Sequence, residues 1–219
     1  GWFQLADAAI MAADPRMQRS TIEPCLYFIK DKDLTVYIST HVDDFIICCN
    51  DTEWYDNFLI KLKQSFTLKD LGDLNQVLQI DIKMEPDFIE MSQKRQIENA
   101  AIQYGLLTEE KNMRPVASPM EANLDLQPAV GEDHTLPYRA LLGTLLWIAR
   151  NTIPDIFFSV IYLARFSNAY SSEHYRHLKR VLRYLVCTKD HKLTYTRQEG
   201  ATNFSINSLS DSDWASNSE

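Results

Sequence analysis

Apolar positions recur first at helical spacing and then at alternate residues. Over residues 2–13, Trp2, Leu5, Ala6, Ala9 and Ile10 share one face of a predicted helix. Cys25–Lys30 and Leu34–Val42 are rich in β-branched and aromatic residues and flank a polar Asp31-Lys32-Asp33 turn, so both are predicted strands. Asp43-Asp44 interrupt the apolar run, which resumes as a third strand over Phe45–Cys49. Asn50, Asp51 and Thr52 offer N-caps for a helix to about Ser65, with Trp54, Phe58, Leu59 and Leu62 inward. Val77–Met84 alternates as a strand, Pro86-Asp87 turns, and Phe88–Met91 returns. Ser92 caps a further helix ending near Tyr104, and Gly105 suits the position just beyond its end.

The second half reads differently. Residues 106–136 are punctuated by proline and lack periodicity, so they are predicted to be a long connector and a subdomain boundary. Three helices follow: an apolar one over Tyr138–Arg150, one entered at Pro154 and running to about Phe166, and one from Ser171-Ser172-Glu173 to about Cys187. Lys192–Thr196 and Phe204–Leu209 are predicted strands of a new unit. The fold class is therefore α+β, an antiparallel sheet with helices followed by a helical region.

Composition narrows the picture. The 219 residues, 45 % of them hydrophobic, allow one compact domain or two small ones with a substantial core. No apolar run reaches membrane-spanning length, and the first residues do not form a signal peptide. The chain does not begin with Met and is expected to be a fragment or a processed product. Cys25, Cys48, Cys49 and Cys187 show no metal-binding spacing and are expected to be small buried apolar residues in a reducing compartment.

The net charge of −8 disfavours a nucleic-acid-binding domain unless a local basic patch exists. One candidate is the helix over 173–187, where Arg176, Lys179, Arg180 and Arg183 share a face opposite Leu178, Val181, Leu182 and Leu185. That face suits a phosphate backbone, and equally an ordinary solvated surface. His174 and His177 lie three residues apart but lack an evident third ligand for a metal. Trp147, Phe157, Phe158 and Tyr162 are expected to be core residues rather than stacking platforms.

Asp43-Asp44 is the sharpest chemical feature. Adjacent carboxylates between two apolar strands repel one another, and a divalent cation relieves the repulsion. Read alone, the pair is also an ordinary hairpin turn.

The surroundings of the pair change its meaning. His41-Val42-Asp43-Asp44 resembles the Tyr-Val-Asp-Asp box of Ty1/copia-type reverse transcriptases. Phe66-Thr67-Leu68-Lys69-Asp70-Leu71-Gly72, Val77-Leu78-Gln79-Ile80, Met91-Ser92-Gln93 and Ser118-Pro119-Met120 resemble further stretches of that family, in its order. So do the segments Tyr138–Leu146, Pro154-Asp155-Ile156, Leu178–Leu185 and Ser210–Ala215. The resemblance implies a partial polymerase palm over 1–105, a connector and helical thumb-like region over 106–197, and the first strand of a truncated RNase H domain over 198–219. It implies an RNA-directed DNA polymerase in the intact protein, with Asp43 and Asp44 as catalytic, metal-holding residues and Mg²⁺ or Mn²⁺ as cofactor. Asp211 matches an RNase H metal ligand. Gln79, Arg176, Lys179, Arg180 and Arg183 become the expected nucleic-acid contacts. The implied partners are an RNA or DNA template–primer duplex and dNTPs, together with upstream palm and fingers and downstream RNase H segments. No membrane is implied, and the expected location is intracellular, in a cytoplasmic virus-like particle or the nucleus.

Departures from the family accompany the matches. The family's third palm carboxylate and its fingers are expected upstream of Trp2. His41 replaces Tyr, Gln79 replaces Gly, Ile153 replaces Arg and Cys187 replaces Gly. An inactive remnant, or a co-opted nucleic-acid-binding or structural scaffold, is therefore the alternative expectation. A palm lacking its first strands leaves an edge open to pairing, so the isolated chain is expected to oligomerise or dissolve poorly.

Overall fold

The computed structural model describes residues 1–106, 114–130, 133, 135–197 and 208. It divides into two compact units, Gly1–Leu74 and Asn75–Glu219.

The first unit sets two helices on one face of a sheet. Helix α1 (Trp2–Ala13) is rich in alanine and ends where Pro15 forces the preceding residue out of helix. Asp14 accordingly adopts φ −146° and ψ 126°. Strands β1 (Gln18–Arg19), β2 (Leu26–Lys30), β3 (Thr35–His41) and β4 (Asp44–Cys49) pair antiparallel in that order. Helix α2 (Thr52–Ser65) is capped by Asp51, whose carboxylate accepts the Trp54 backbone N–H at 2.9 Å. Alternation along β2 and β3 sends Tyr27, Ile29, Val36 and Ile38 into a core with Ile10 and Ala13 of α1 and Phe58 and Leu62 of α2. Asp14 ties the helices together: its carboxylate accepts from Arg16 and from the Trp54 indole at 2.9 Å, and Lys61 reaches the Ala13 carbonyl at 2.6 Å. The Arg16 bonds hold the Asp14 carboxyl well below the usual carboxylate range, against the opposing effect of burial.

The second unit joins a sheet to a helical cluster. Strands β5 (Gln76–Val77), β6 (Ile80–Glu85) and β7 (Phe88–Ser92) are followed by α3 (Lys94–Gln103), α4 (Tyr138–Asn151), a short 3₁₀ turn over Pro154–Ile156, α5 (Phe157–Ala164) and α6 (Ser172–Cys187). Strand β8 (Leu193–Thr196) then pairs antiparallel with β7, giving the order β5-β6-β7-β8. The largest core of the molecule lies here, with Ile97, Leu141, Leu145, Ile148, Val160, Leu178, Val181, Leu182 and Leu185 buried. Gly105 takes φ +70° just past α3, as its place in the sequence predicts.

Several expectations are corrected. The predicted strand Val77–Met84 is two strands, because Leu78 and Gln79 form a two-residue turn. The strand over Lys192–Thr196 does not open a new unit; it completes the second sheet. Helix α3 packs on α6, and the compact units part after Leu74. The connector contributes Leu106 and Leu126 to the core, and the Tyr162 hydroxyl accepts the Leu126 N–H while donating to the Leu124 carbonyl, both at 3.0 Å. None of the four cysteines is buried; Cys48 and Cys187 are exposed. Leu5 is exposed rather than inward, and Phe157 and Phe158 stand out on α5 with Phe158 70 % exposed. The predicted strand over Phe204–Leu209 lies outside the described residues apart from Ser208. Among the described residues, no helix is long and apolar enough to cross a membrane.

Candidate functional site

The tip of the β3–β4 hairpin carries the paired aspartates. His41 pairs with Asp44, so the loop is only Val42-Asp43, and Asp44 is the first residue of β4. Val42 has φ +55°, whereas Asp43 does not enter the left-handed region. Positive φ at the first loop residue alone is the pattern of a type II′ turn, whose first position favours glycine. A β-branched residue there is strained by about 1–3 kcal/mol. The Trp2 indole N–H donates to the Val42 carbonyl from the start of α1. The Trp2 ring also packs on Phe66, with centroids 5.0 Å apart, and Phe66 in turn meets Phe45 of β4 at 6.4 Å.

Asp43 and Asp44 are both exposed, and neither has a side-chain partner among the described residues. Their oxygens are free to take a hard cation. Among the described residues no three His, Cys, Asp or Glu side chains gather into a metal-binding group. The pair thus fits as part of a donor set and not as a whole one. His41 stands directly across the ladder from Asp44, on the sheet face opposite the helices.

A second two-residue hairpin carries Gln79. Val77 pairs with Ile80, and both loop residues have positive φ, +48° at Leu78 and +67° at Gln79. This is the type I′ pattern, again one that glycine favours. Gln79 therefore departs from a glycine preference set by the backbone itself as well as by any close approach of a ligand.

The basic residues of α6 are only partly free. Arg176 is exposed and lies 3.6 Å from Glu173. Arg180 pairs with Glu121 at 3.2 Å. Lys179 and Arg183 are half-buried, without an ion-pair partner among the described residues. His174 and His177, on the same helix, are buried, and burial holds both imidazoles below their ordinary pKa. Asp211 lies outside the described residues.

Several residues of the quoted motifs turn out to be internal joints. Gln93 is 1 % exposed and accepts the Thr152 hydroxyl at 2.8 Å. Asp155 accepts the Tyr184 hydroxyl at 2.5 Å, which pushes the Tyr184 pKa up to about 12. Tyr138 donates to the Leu163 carbonyl at 2.8 Å and stacks on Tyr170 at 4.5 Å. Asp70 accepts the Gly72 N–H at 2.8 Å, where Gly72 turns with φ +75°. Sequence reasoning missed the part played by Trp2. Helical periodicity assigns it to the face of α1, and no local signal marks a bond to a residue 40 positions away.

Comparison with known proteins bears on the family of the chain. Residues 1–122 match the family model described as reverse transcriptase (RNA-dependent DNA polymerase). The chain is 33 % identical over 198 residues to the retrovirus-related Pol polyprotein from transposon RE1 of Arabidopsis thaliana, covering 90 % of this chain and 13 % of that protein. It is 31 % identical to the corresponding polyprotein from transposon RE2 of the same plant, over 91 % of this chain and 13 % of that protein. A putative transposon Ty5-1 protein of Saccharomyces cerevisiae is 30 % identical over 78 % of this chain and 55 % of its own length. The chain thus spans about 13 % of the length of the two plant polyproteins. No solved structure matches it.

Proposed function

Because the chain belongs to the reverse transcriptase family and is of Ty1/copia type, we propose that it supplies the metal-holding hairpin of an RNA-directed DNA polymerase. The observation that carries this reading is the exposed, unpaired Asp43-Asp44 pair at a strained two-residue tip. Buried or ion-paired carboxylates have their lone pairs committed, whereas these two are available to Mg²⁺ or Mn²⁺. When bound, such ions supply charge stabilisation to phosphoryl transfer and promote ionisation of an attacking hydroxyl. The chain's own share is to hold two carboxylates at a fixed tip with their oxygens open. At least one further donor comes from elsewhere in the functional protein, because the described residues gather no third.

The remaining family roles are proposed on the same basis. The first unit is the palm portion that presents the hairpin. Gln79 lies where the primer end would be supported, and Arg176, Lys179, Arg180 and Arg183 line a helix that would follow the template–primer backbone with dNTPs as substrates. Asp211 would belong to an RNase H segment. The half-buried state of Lys179 and Arg183 and the Glu121 pair on Arg180 mean that this helix would exchange existing contacts for phosphates.

Templated dNTP incorporation by the parent open reading frame tests this reading. Asp43→Asn with Asp44→Asn is expected to abolish incorporation, and unchanged incorporation in that variant would refute the role. A second reading is an inactive remnant or scaffold. Gln79 at φ +67°, a position that favours glycine, favours it. Metal-dependent incorporation by the 219-residue chain alone would exclude it.

A further inference from the structure

We infer that Trp2 is a positioning residue that holds Val42, and through it the Asp43-Asp44 tip, in its strained conformation. The inference rests on the functional reading above only for its consequence; the geometry stands by itself. Two-residue loops of this pattern select glycine at the first position, and the chain has valine there with φ +55°. Left alone, Val42 gains by relaxing to negative φ. That rearrangement turns the Val42 carbonyl and changes the turn from which Asp44 projects.

The Trp2 indole opposes it. Its N–H donates to the Val42 carbonyl, so a peptide rotation at the tip breaks that bond. The indole is itself fixed by Phe66, at 5.0 Å, and Phe66 by Phe45 on the second strand of the hairpin, at 6.4 Å. These tilted rings therefore link the start of α1 to the second strand of the hairpin, while the indole N–H reaches the tip itself. Trp2 is 43 % exposed, as is its neighbour Phe3, so its side chain is only partly packed.

The ¹⁵N- and ¹³C-labelled 219-residue chain allows a test by nuclear magnetic resonance, with Mn²⁺ as the metal probe. Positive φ at Val42 gives a strong intraresidue amide–Hα cross-peak. Trp2→Phe keeps a ring against Phe66 and removes only the donor. It is expected to weaken that cross-peak and to speed Asp44 amide exchange roughly fivefold, the factor that one ordinary hydrogen bond represents. Val42→Gly in the Trp2→Phe background is expected to restore slow exchange, because glycine takes positive φ without help. A Trp2→Phe chain whose Val42 cross-peak and Asp44 exchange match the parent overturns the inference. So does a uniform speeding of exchange throughout the first unit that Val42→Gly fails to reverse, which marks a purely structural role. Mn²⁺ broadening at Asp43 and Asp44 in the parent chain is read separately. Its absence counts against the metal-holding proposal and leaves the turn result standing.

Discussion

The hairpin tip of the first unit and the motif residues of the second unit are built on opposite terms. Gln93, Asp155 and Tyr138 each spend their polar atoms on a partner inside the fold. Asp43 and Asp44 spend theirs on nothing among the described residues, and they sit beside a strained Val42. Family motifs therefore do not share one meaning. Those of the helical unit hold elements together, whereas the tip leaves both carboxylates without a partner among the described residues. A strained turn with unpaired carboxylates at one place and hydrogen-bonded polar atoms at the other distinguish the two regions.

Four measurements test that contrast. The largest effect is expected at Gln93. Gln93→Leu leaves the buried Thr152 hydroxyl without its acceptor, and urea unfolding should show a loss of about 2 kcal/mol. Adding Thr152→Val should recover most of it, because removing both partners leaves nothing unsatisfied. A neutral Gln93→Leu would place this motif with the tip rather than with the scaffold.

Acid sensitivity of the second unit comes next. His174 and His177 are held neutral by burial, below the ordinary value of 6.5. Ser171, Phe166 and the Gln127 backbone face His174, while Glu121, Glu173, Arg176 and Arg180 bear on His177. The unfolded chain binds protons first as pH falls through about 6.5, so stability is full above that value and declines below it. The urea midpoint should drop between pH 7 and pH 5, on either side of the ordinary imidazole pKa of about 6.5. It should drop less in a chain carrying His174→Asn with His177→Gln. A midpoint that holds steady would show that the buried imidazoles do not govern the unit.

Gln79→Gly is expected to stabilise the chain by about 0.5–1 kcal/mol, the relief of left-handed backbone being partly offset by glycine's greater freedom when unfolded. A destabilised variant would mean that the Gln79 side chain makes a contact worth more than the strain. The smallest effect belongs to the tip. Asp43→Asn with Asp44→Asn should change stability by no more than about 0.5 kcal/mol, as for exposed residues without partners. The same variant should lose Mn²⁺ relaxation at the hairpin. A large stability loss there would overturn the contrast between site and scaffold.

Most elements were legible from periodicity. Helix α6 runs from Ser172 to Cys187 as its stripe of Leu178, Val181, Leu182 and Leu185 predicts, because an amphipathic helix announces its inner face locally. The Asp51 cap and the Gly105 terminus are local in the same sense. Leu78-Gln79 failed for the converse reason. Neither residue type favours positive φ, so nothing in Val77–Met84 signals a turn inside an alternating run. The exposed Phe157 and Phe158 failed because spacing identifies a helix but not which neighbours cover it. Of the candidate site, Asp43 and Asp44 stand out in the sequence through their ordered companions, whereas the Trp2 contact to Val42 does not.

By itself, then, the sequence determined the family, the paired carboxylates and the identity of nearly every helix and strand. These rest on residue type and on spacings shorter than one element. Folding alone brings β8 into the sheet begun by β5, pairs Gln93 with Thr152 and Asp155 with Tyr184, and sets an indole 40 residues away against the Val42 carbonyl. Such pairings depend on which surfaces meet once the elements pack, and side chains far apart in the chain carry no local record of the partner that folding will bring them.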